Sequence, residues 1–454
     1  MVNSSIIKAV DSRSERLCRL AKEIWDNPEM GWHEYKAVSL YKDFLESEGF
    51  KVEVGAYGMP TAIKAVWGSG KPAIGFLAEY DCLPGLSQKV SPDKDPVVEG
   101  GPGHGCGHNL LGAGCLGACI GLKAALEESG REGTVIFYGC PAEEQLTGKS
   151  FMALKGAFKE SDFAIAWHPS TDNASTVGVS TGVEAAVFHF KGRTAHAAGN
   201  PQDGRSALDA VQLMNIGVEF LREHVTDDVR MHYTITEGGL APNIVPENAS
   251  VKYFVRALTR EKVLDAYQRV IKCAEGAAHM TDTSLEIEHL GGIYPTMPNR
   301  VMAGIMQKMR EEIPPVEYTE EELEFADRIN SHSPSYKKGV TPPIDWEFKP
   351  LSEENNFAST DVGDVMHIIP TVSNSDCTAA TLSGGHSWMI TACSGSSIGM
   401  KGMIRAAKVM AAGAYYLIEH PELQEAAKKE FEKNMAGTSY ECPVAGDVKW
   451  PYQE

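Results

Sequence analysis

Three apolar runs, each ending in residues able to ligate a cation or move a proton, constrain this chain more than any other feature. Pro72–Ala78 (PAIGFLA) leads into Glu79-Tyr80-Asp81. Thr134–Gly139 (TVIFYG) leads through Cys140-Pro141-Ala142 into Glu143-Glu144, and Asp162–Trp167 (DFAIAW) ends on His168. Short, uniformly apolar runs read as strands covered on both faces. Their alternation with helical patterns predicts an α/β fold with a mixed, largely parallel central sheet flanked by helices. Ligands collect beyond the carboxyl ends of such strands, so the runs deliver carboxylates and an imidazole to one sheet edge.

A second feature bears on the same edge. Gly103-His104-Gly105-Cys106-Gly107-His108-Asn109 places a thiol and imidazoles on a glycine-rich turn, directly before a small-residue helical pattern at Leu110–Leu126. Thiolate and neutral imidazole are good ligands for zinc-like ions, and glycine lets the backbone bend closely around one. Cys115 and Cys119 within the helical pattern read as small core residues. Cys106, His108, Glu144, His168 and His386, the last in a Gly384-Gly385-His386 loop, form a donor set suited to two divalent ions about 3.5–4 Å apart. Zinc or manganese fits these donors, and the thiolate also admits cobalt or nickel. Glu143, beside a ligating Glu144, is placed to act as general base. Asp81 is placed to orient a ligating histidine from behind. Taken singly, several of these residues have plainer readings. His168 reads equally as a hydrogen-bonded strand-end histidine, Glu143-Glu144 as a solvated acidic loop, and Asp81 as a turn residue before Leu83-Pro84. His104 has no settled role.

From about Val183 the periodicity changes. Strand patterns at 185–191, 229–237, 250–258 and 284–290, with helical patterns at 206–224 and 260–280, follow the order β-α-β-β-α-β of a ferredoxin-like unit. The order predicts a small domain, 184–296, inserted into a larger one formed by 1–183 and 297–454. The charged, proline-spotted stretch 311–356 reads as a surface excursion. A net charge of −19 without a basic run argues against nucleic acid as a partner. The N-terminus lacks the apolar core of a secretory signal, and no stretch is expected to approach a membrane span. Ten scattered cysteines without a framework pattern point to a reducing, cytoplasmic setting.

Short motifs along nearly the whole chain carry a resemblance. They are NPEMGWHE, LAEYDCLPGLS, GHGCGHNLLG, FYGCPAEE, AWHP, FKGRTAHAAGNPQDGRSALDAV, APNIVP, FASTDVGDV and GGHSW. In kind and order they resemble the metallopeptidase and amidohydrolase family that includes aminoacylase, glutamate carboxypeptidases and auxin-conjugate hydrolases. The resemblance implies that Cys106, His108, Glu144, His168 and His386 hold two metal ions and that Glu143 is the general base. It implies that His196 belongs to a lid domain, reaches the partner subunit's active site and stabilises an oxyanion. Asn243 and Arg256 match lid residues that grip the substrate's carboxylate. The implied reaction is hydrolysis of the amide of an N-acyl amino acid, of the p-aminobenzoyl-glutamate type, by a metal-held hydroxide. The implied assembly is a homodimer, or a heteromer with a related subunit. Two departures stand out: Glu79 occupies the position after the first run where many relatives begin a His-x-Asp pair, and Cys106 stands where many carry a bridging aspartate, as in the auxin-conjugate branch. Rival readings are a dipeptidase, a general N-acyl amino acid hydrolase, or an idle scaffold or regulatory subunit. A thiol redox role for Cys106 is weak, because no second cysteine lies two or three positions away.

Overall fold

The computed structural model describes residues 2–444. The chain divides into two compact units. Of the described residues, the first comprises 2–178, Met297–Glu354 and Val365–Tyr440, and the second comprises Val179–Thr296, Asn355–Asp364 and 441–444.

The first unit is built on a seven-stranded mixed sheet. Its strands are β1 (Lys51–Val54), β2 (Ile63–Ser69), β3 (Ala73–Glu79), β4 (Gly133–Cys140), β5 (Phe163–Ser170), β6 (Ala174–Ser175) and, after the second unit's β7–β10, β11 (Thr371–Cys377). The spatial order is β1-β2-β4-β3-β5-β11-β6. The centre is parallel, with β3 beside β4 and β5, and β11 beside β5, while β1, β2 and β6 add antiparallel edges. Every residue of β3 is buried. This explains why its run shows no polar alternation: helices cover both faces of a parallel strand. Because β4, β3, β5 and β11 run the same way, their carboxyl ends open on one edge.

The helix His108–Ser129 fills the middle of this unit, buried along most of its length. It is long and apolar enough by composition to cross a membrane, and 89% of its most apolar window is buried inside the structure. That corrects the expectation that no stretch approaches a membrane span; the apolarity here serves a core helix. Cys115 and Cys119 are fully buried on it. It packs against Ser4–Asp26 and Ser397–Glu419. Two glycines one helical turn apart make the second contact: a Cβ at Gly117 would stand 2.8 Å from the Ala407 Cβ, and one at Gly121 would stand 2.8 Å from the Ala411 Cβ. The matched small residues bring the two backbones together, so the facing helix has no room to yield.

The stretch 311–356 is also corrected in part. It contains the helix Glu320–Asn330, opened by a capping box between Thr319 and Glu322. Ala326 and Ile329 of that helix join a core cluster with Ile344, Cys377 and Ala392. Its charge lies on one face, and the stretch is partly core.

The second unit holds β7 (Gly182–Lys191), β8 (Arg230–Glu237), β9 (Asn248–Ala257) and β10 (Ser284–Ile293), with the helices Ala207–Leu221 and Arg260–Thr281. The strands form an antiparallel sheet in the order β10-β7-β9-β8, which is the ferredoxin-like arrangement. One face alternates buried Val251, Tyr253 and Val255 against the helices, leaving Lys252, Phe254 and Arg256 on the other.

The Gly117 contact yields a direct test. Gly117→Val should destabilise the protein by about 1–3 kcal/mol through overpacking. It would be read as a lower urea midpoint at unchanged slope, whereas a midpoint equal to that of the parent would contradict the close helix packing.

Candidate metal centre

The carboxyl-end edge of the central sheet collects the polar residues that follow its strands. Asp81 comes two residues after β3, Glu143 and Glu144 lie on the single turn Glu143–Gln145 after β4, and His168 lies within β5. Cys106 sits on the glycine-rich turn, His108 opens the helix His108–Ser129, and His386 lies in the loop before the helix Trp388–Ser394. The glycine before His108 has φ 79° and caps the helix in the left-handed region, a conformation that suits glycine.

Three overlapping donor groups lie here, each with ligand atoms within 4.8 Å of one another: Cys106–His108–His168, Cys106–Glu144–His386 and Glu79–His108–Glu143. Cys106 belongs to both of the first two. Its Sγ is 3.4 Å from His168 Nε2, and His386 Nε2 is 3.5 Å from Glu144 Oε2. The rings of His108 and His168 meet edge to face.

His108, buried, and His168, partly buried, are each oriented from behind. His108 Nδ1 is 2.9 Å from Asp81 Oδ1, so in the neutral ring that a cation would select, Nδ1 carries the proton and Nε2 keeps its lone pair. His168 Nδ1 likewise donates to the Pro169 carbonyl at 2.7 Å, freeing Nε2 towards Cys106. This is the usual means of fixing a ligating tautomer. Asp81 does a second job, because its Oδ2 accepts the Glu144 backbone N–H at 2.9 Å. His108 Nε2 and Glu144 Oε1 are buried and make no hydrogen bond among the described residues. Buried polar atoms normally have a partner, and a cation would supply one to both.

The electrostatics agree with that fit. Burial pushes Cys106 up to about 12, against the pull of His108. Burial also raises Glu144, with Asp81 adding to the rise. Burial would lower His108, but Cys106 and Asp81 outweigh it and hold its pKa well above the imidazole range. His168 is pushed down by burial and by His108. Buried acidic groups so close together call for positive charge, and divalent ions would meet that demand.

Glu79 and Lys149 add a feature that residue type alone did not reveal. Lys149, fully buried in the helix Gly148–Leu154, pairs with Glu79 Oε1 at 2.5 Å, and Glu79 Oε2 lies 3.3 Å from His108 Nε2. Burial would raise the Glu79 carboxyl, but Lys149 outweighs it and keeps the group ionised. A lysine between a glycine and a serine carries no sequence signal of such a role.

His104 lies in none of the donor groups. It is buried, and burial followed by His108 pushes it down to about 3, so its imidazole is neutral. Its carbonyl accepts the Gly107 N–H and the Ser394 hydroxyl, which gives it a part in shaping the turn.

The remaining sequence candidates belong to the second unit. His196 is exposed, and its Nδ1 accepts the backbone N–H groups of Ala198 and Gly199 at 3.2 and 2.9 Å. Ala197 N–H donates to the Asn243 carbonyl and Val245 N–H to the Ala195 carbonyl, so the His196 and Asn243 loops are tied together. Arg256 on β9 donates from Nη1 to the Ser359 hydroxyl at 2.7 Å. Arg230 stands directly opposite it on β8.

Residues 180–280 match the peptidase dimerisation domain. The chain is 37% identical to a component chain of the p-aminobenzoyl-glutamate hydrolase of Escherichia coli, over 97% of each chain. It is 29% identical to the Xaa-Arg dipeptidase of Mus musculus, over 93% of this chain and 90% of that one. Among solved structures, a dinuclear metal-binding peptidase of the M20 family from Bacillus subtilis superposes with a TM-score of 0.60. It has 17% identity, and the match covers 90% of this chain and 99% of that one.

The shared position of Cys106 predicts an asymmetry in metal loss. Cys106→Ala should deplete the dialysed protein of metal at both donor groups, whereas His386→Ala should spare the ion at Cys106–His108–His168. Mass-spectrometric metal analysis reads this, and a Cys106→Ala protein with the parent's metal content would contradict the sharing.

Proposed function

We propose that this chain, which belongs to the M20 family of metal-dependent peptidases and amidohydrolases, hydrolyses the amide bond of an N-acyl amino acid of the p-aminobenzoyl-glutamate type. The observation that carries the reading is the convergence of Cys106, His108, Glu144, His168 and His386 beside a further carboxylate, Glu143, that the ligand set does not need. The substrate class is supported by 37% identity along nearly the full length of a p-aminobenzoyl-glutamate hydrolase chain.

These residues would hold two divalent ions, zinc or manganese with cobalt or nickel as alternatives, which would supply a Lewis acid for the amide carbonyl and make water more acidic. Glu143 takes the proton from the attacking water and passes it to the departing nitrogen. Asp81 keeps the His108 Nε2 lone pair and the Glu144 backbone in place while charge shifts across the site. His196 is assigned to the developing oxyanion, delivered from a second copy or a related subunit. Its tautomer suits that role: with Nδ1 accepting two backbone N–H groups, the neutral ring carries its proton on Nε2 as a donor. Arg256 and Asn243 are assigned to the carboxylate of the amino-acid half. Arg230 opposite Arg256 supports this, since like charges facing across a ladder are unfavourable until an anion joins them.

The domain expected at 184–296, which lies within the second unit, is assigned the lid and dimer contacts. Support comes from the dimerisation-domain match. Exposed Ile216 and Phe220 on one helix, and Tyr233 and Ile235 on the edge strand β8, offer apolar surface for it. All ten cysteines stand as free thiols, which supports a reducing, cytoplasmic setting.

Glu143→Ala should retain its metal and lower amide hydrolysis by about 10²–10⁴-fold; hydrolysis at the parent rate would overturn the assignment. Arg256→Ala should lose about 1.5–3 kcal/mol of carboxylate recognition, read as a lower kcat/KM on p-aminobenzoyl-glutamate and little change on its amidated analogue. Equal losses on both would remove Arg256 from the substrate site. Preferred turnover of an Xaa-Arg dipeptide in the same panel would move the substrate class to dipeptides.

A further inference from the structure

The turn that carries Glu143 and Glu144 is bounded by two residues in the left-handed region, Ala142 at φ 53° and Leu146 at φ 61°. Neither is glycine, and a Cβ makes that conformation costly. Such a turn persists when its surroundings hold it. On one side Asp81 accepts the Glu144 N–H. On the other lies the segment 29–34, from the NPEMGWHE motif, to which the reaction scheme above gives no role.

Segment 29–34 is itself anchored to the strand end that bears Asp81. The Cys82 N–H donates to the Glu29 carbonyl at 2.9 Å, and Met30 bridges Cys82 in parallel. Gly31 then lies directly on the turn, where an added Cβ would come within 2.9 Å of the Ala142 Cβ. The Trp32 indole N–H donates to Gln145 Oε1 at 2.9 Å. Glu34 is fully buried, and its Oε1 accepts the Ala142 N–H at 2.8 Å. The left-handed residue immediately before Glu143 is therefore held by a buried carboxyl from a distant part of the chain. Burial and then the Asp81 charge raise Glu34 to about 8, so near neutral pH it holds that N–H largely as a neutral acceptor.

We propose that Glu34 is a positioning residue for the general base, fixing Ala142 in its left-handed conformation so that Glu143 and Glu144 leave the turn in different directions. Trp32 acts with it through Gln145. The inference rests on the assignment of Glu143 as base and Glu144 as ligand. It predicts which property of Glu34 matters: an acceptor at Oε1, whether or not the group is charged.

Four variants test it in the metal-loaded protein. Glu34→Ala should lower kcat by about 10- to 100-fold, as loss of an orienting partner does, with KM and metal content near the parent's. Glu34→Gln, which keeps the acceptor, should restore most of the parent kcat. Gln145→Ala, an exposed change that leaves the core intact, should lower kcat in the same direction and keeps the test open should Glu34→Ala fold poorly. Glu34→Ala combined with Glu143→Ala should be no slower than Glu143→Ala alone, because positioning matters only while the base is present. A Glu34→Ala or Gln145→Ala protein with the parent's kcat, or an additive double variant, would overturn the positioning role. A Glu34→Gln protein as slow as Glu34→Ala would do so too. A Glu143→Ala protein with full activity would instead overturn the underlying assignment of the base.

Discussion

The candidate centre depends on Asp81 more than on any ligand. One buried carboxylate accepts hydrogen bonds from His108 Nδ1–H and from the backbone N–H of Glu144, joining the end of β3, the first turn of the core helix and the turn after β4. Without it the His108 tautomer is unspecified and the Glu144 turn loses one of its holds. Glu34 supplies another, at Ala142, and Trp32 a third, at Gln145. A charged group with so little exposure persists only when its oxygens are satisfied, and both Asp81 oxygens are. The candidate ligand atoms of His108 and Glu144 can therefore point inward while their other polar atoms are occupied elsewhere.

The acidic character of the centre follows from the fold. Parallel strands covered on both faces end at a common edge, and polar residues there are buried as soon as the core helix packs down. Gly112 and Gly114 let that helix approach the strands, since a Cβ at Gly112 would stand 2.7 Å from the Glu79 carbonyl oxygen and one at Gly114 2.7 Å from the Trp167 ring, and this brings His108 to the strand ends. Glu79 has its own counter-charge in Lys149. Cys106 and Glu144 stand among the same donors, and acidic groups gathered this closely favour a cation among Cys106, His108, Glu144, His168 and His386.

Much of this was legible in the residues. The uniform apolarity of the runs at β3, β4 and β5 identified fully covered strands, and the polar residues after them marked the edge. The β-α-β-β-α-β order of the second unit followed from a switch in periodicity. Three things were not legible, each for a physical reason. The helix Glu320–Asn330 buries only a narrow stripe, so its charged face dominated the local composition, although Thr319 and Glu322 already spelled a capping box. The core helix is as apolar as a membrane span because it is surrounded by protein, and composition does not distinguish the two environments. The roles of Lys149 and Glu34 arise from contacts between residues far apart in the chain, 70 positions for Lys149 with Glu79 and 108 for Glu34 with Ala142, and no local pattern encodes such pairings.

The central claim is that two ions share Cys106, with His108 and His168 on one side and Glu144 and His386 on the other. Anomalous-difference crystallography of the metal-loaded protein tests it most directly. The account predicts two metal peaks flanking the Cys106 Sγ, each also contacted by its own pair of residues. A single peak, or peaks that leave Cys106 outside their coordination, would contradict it.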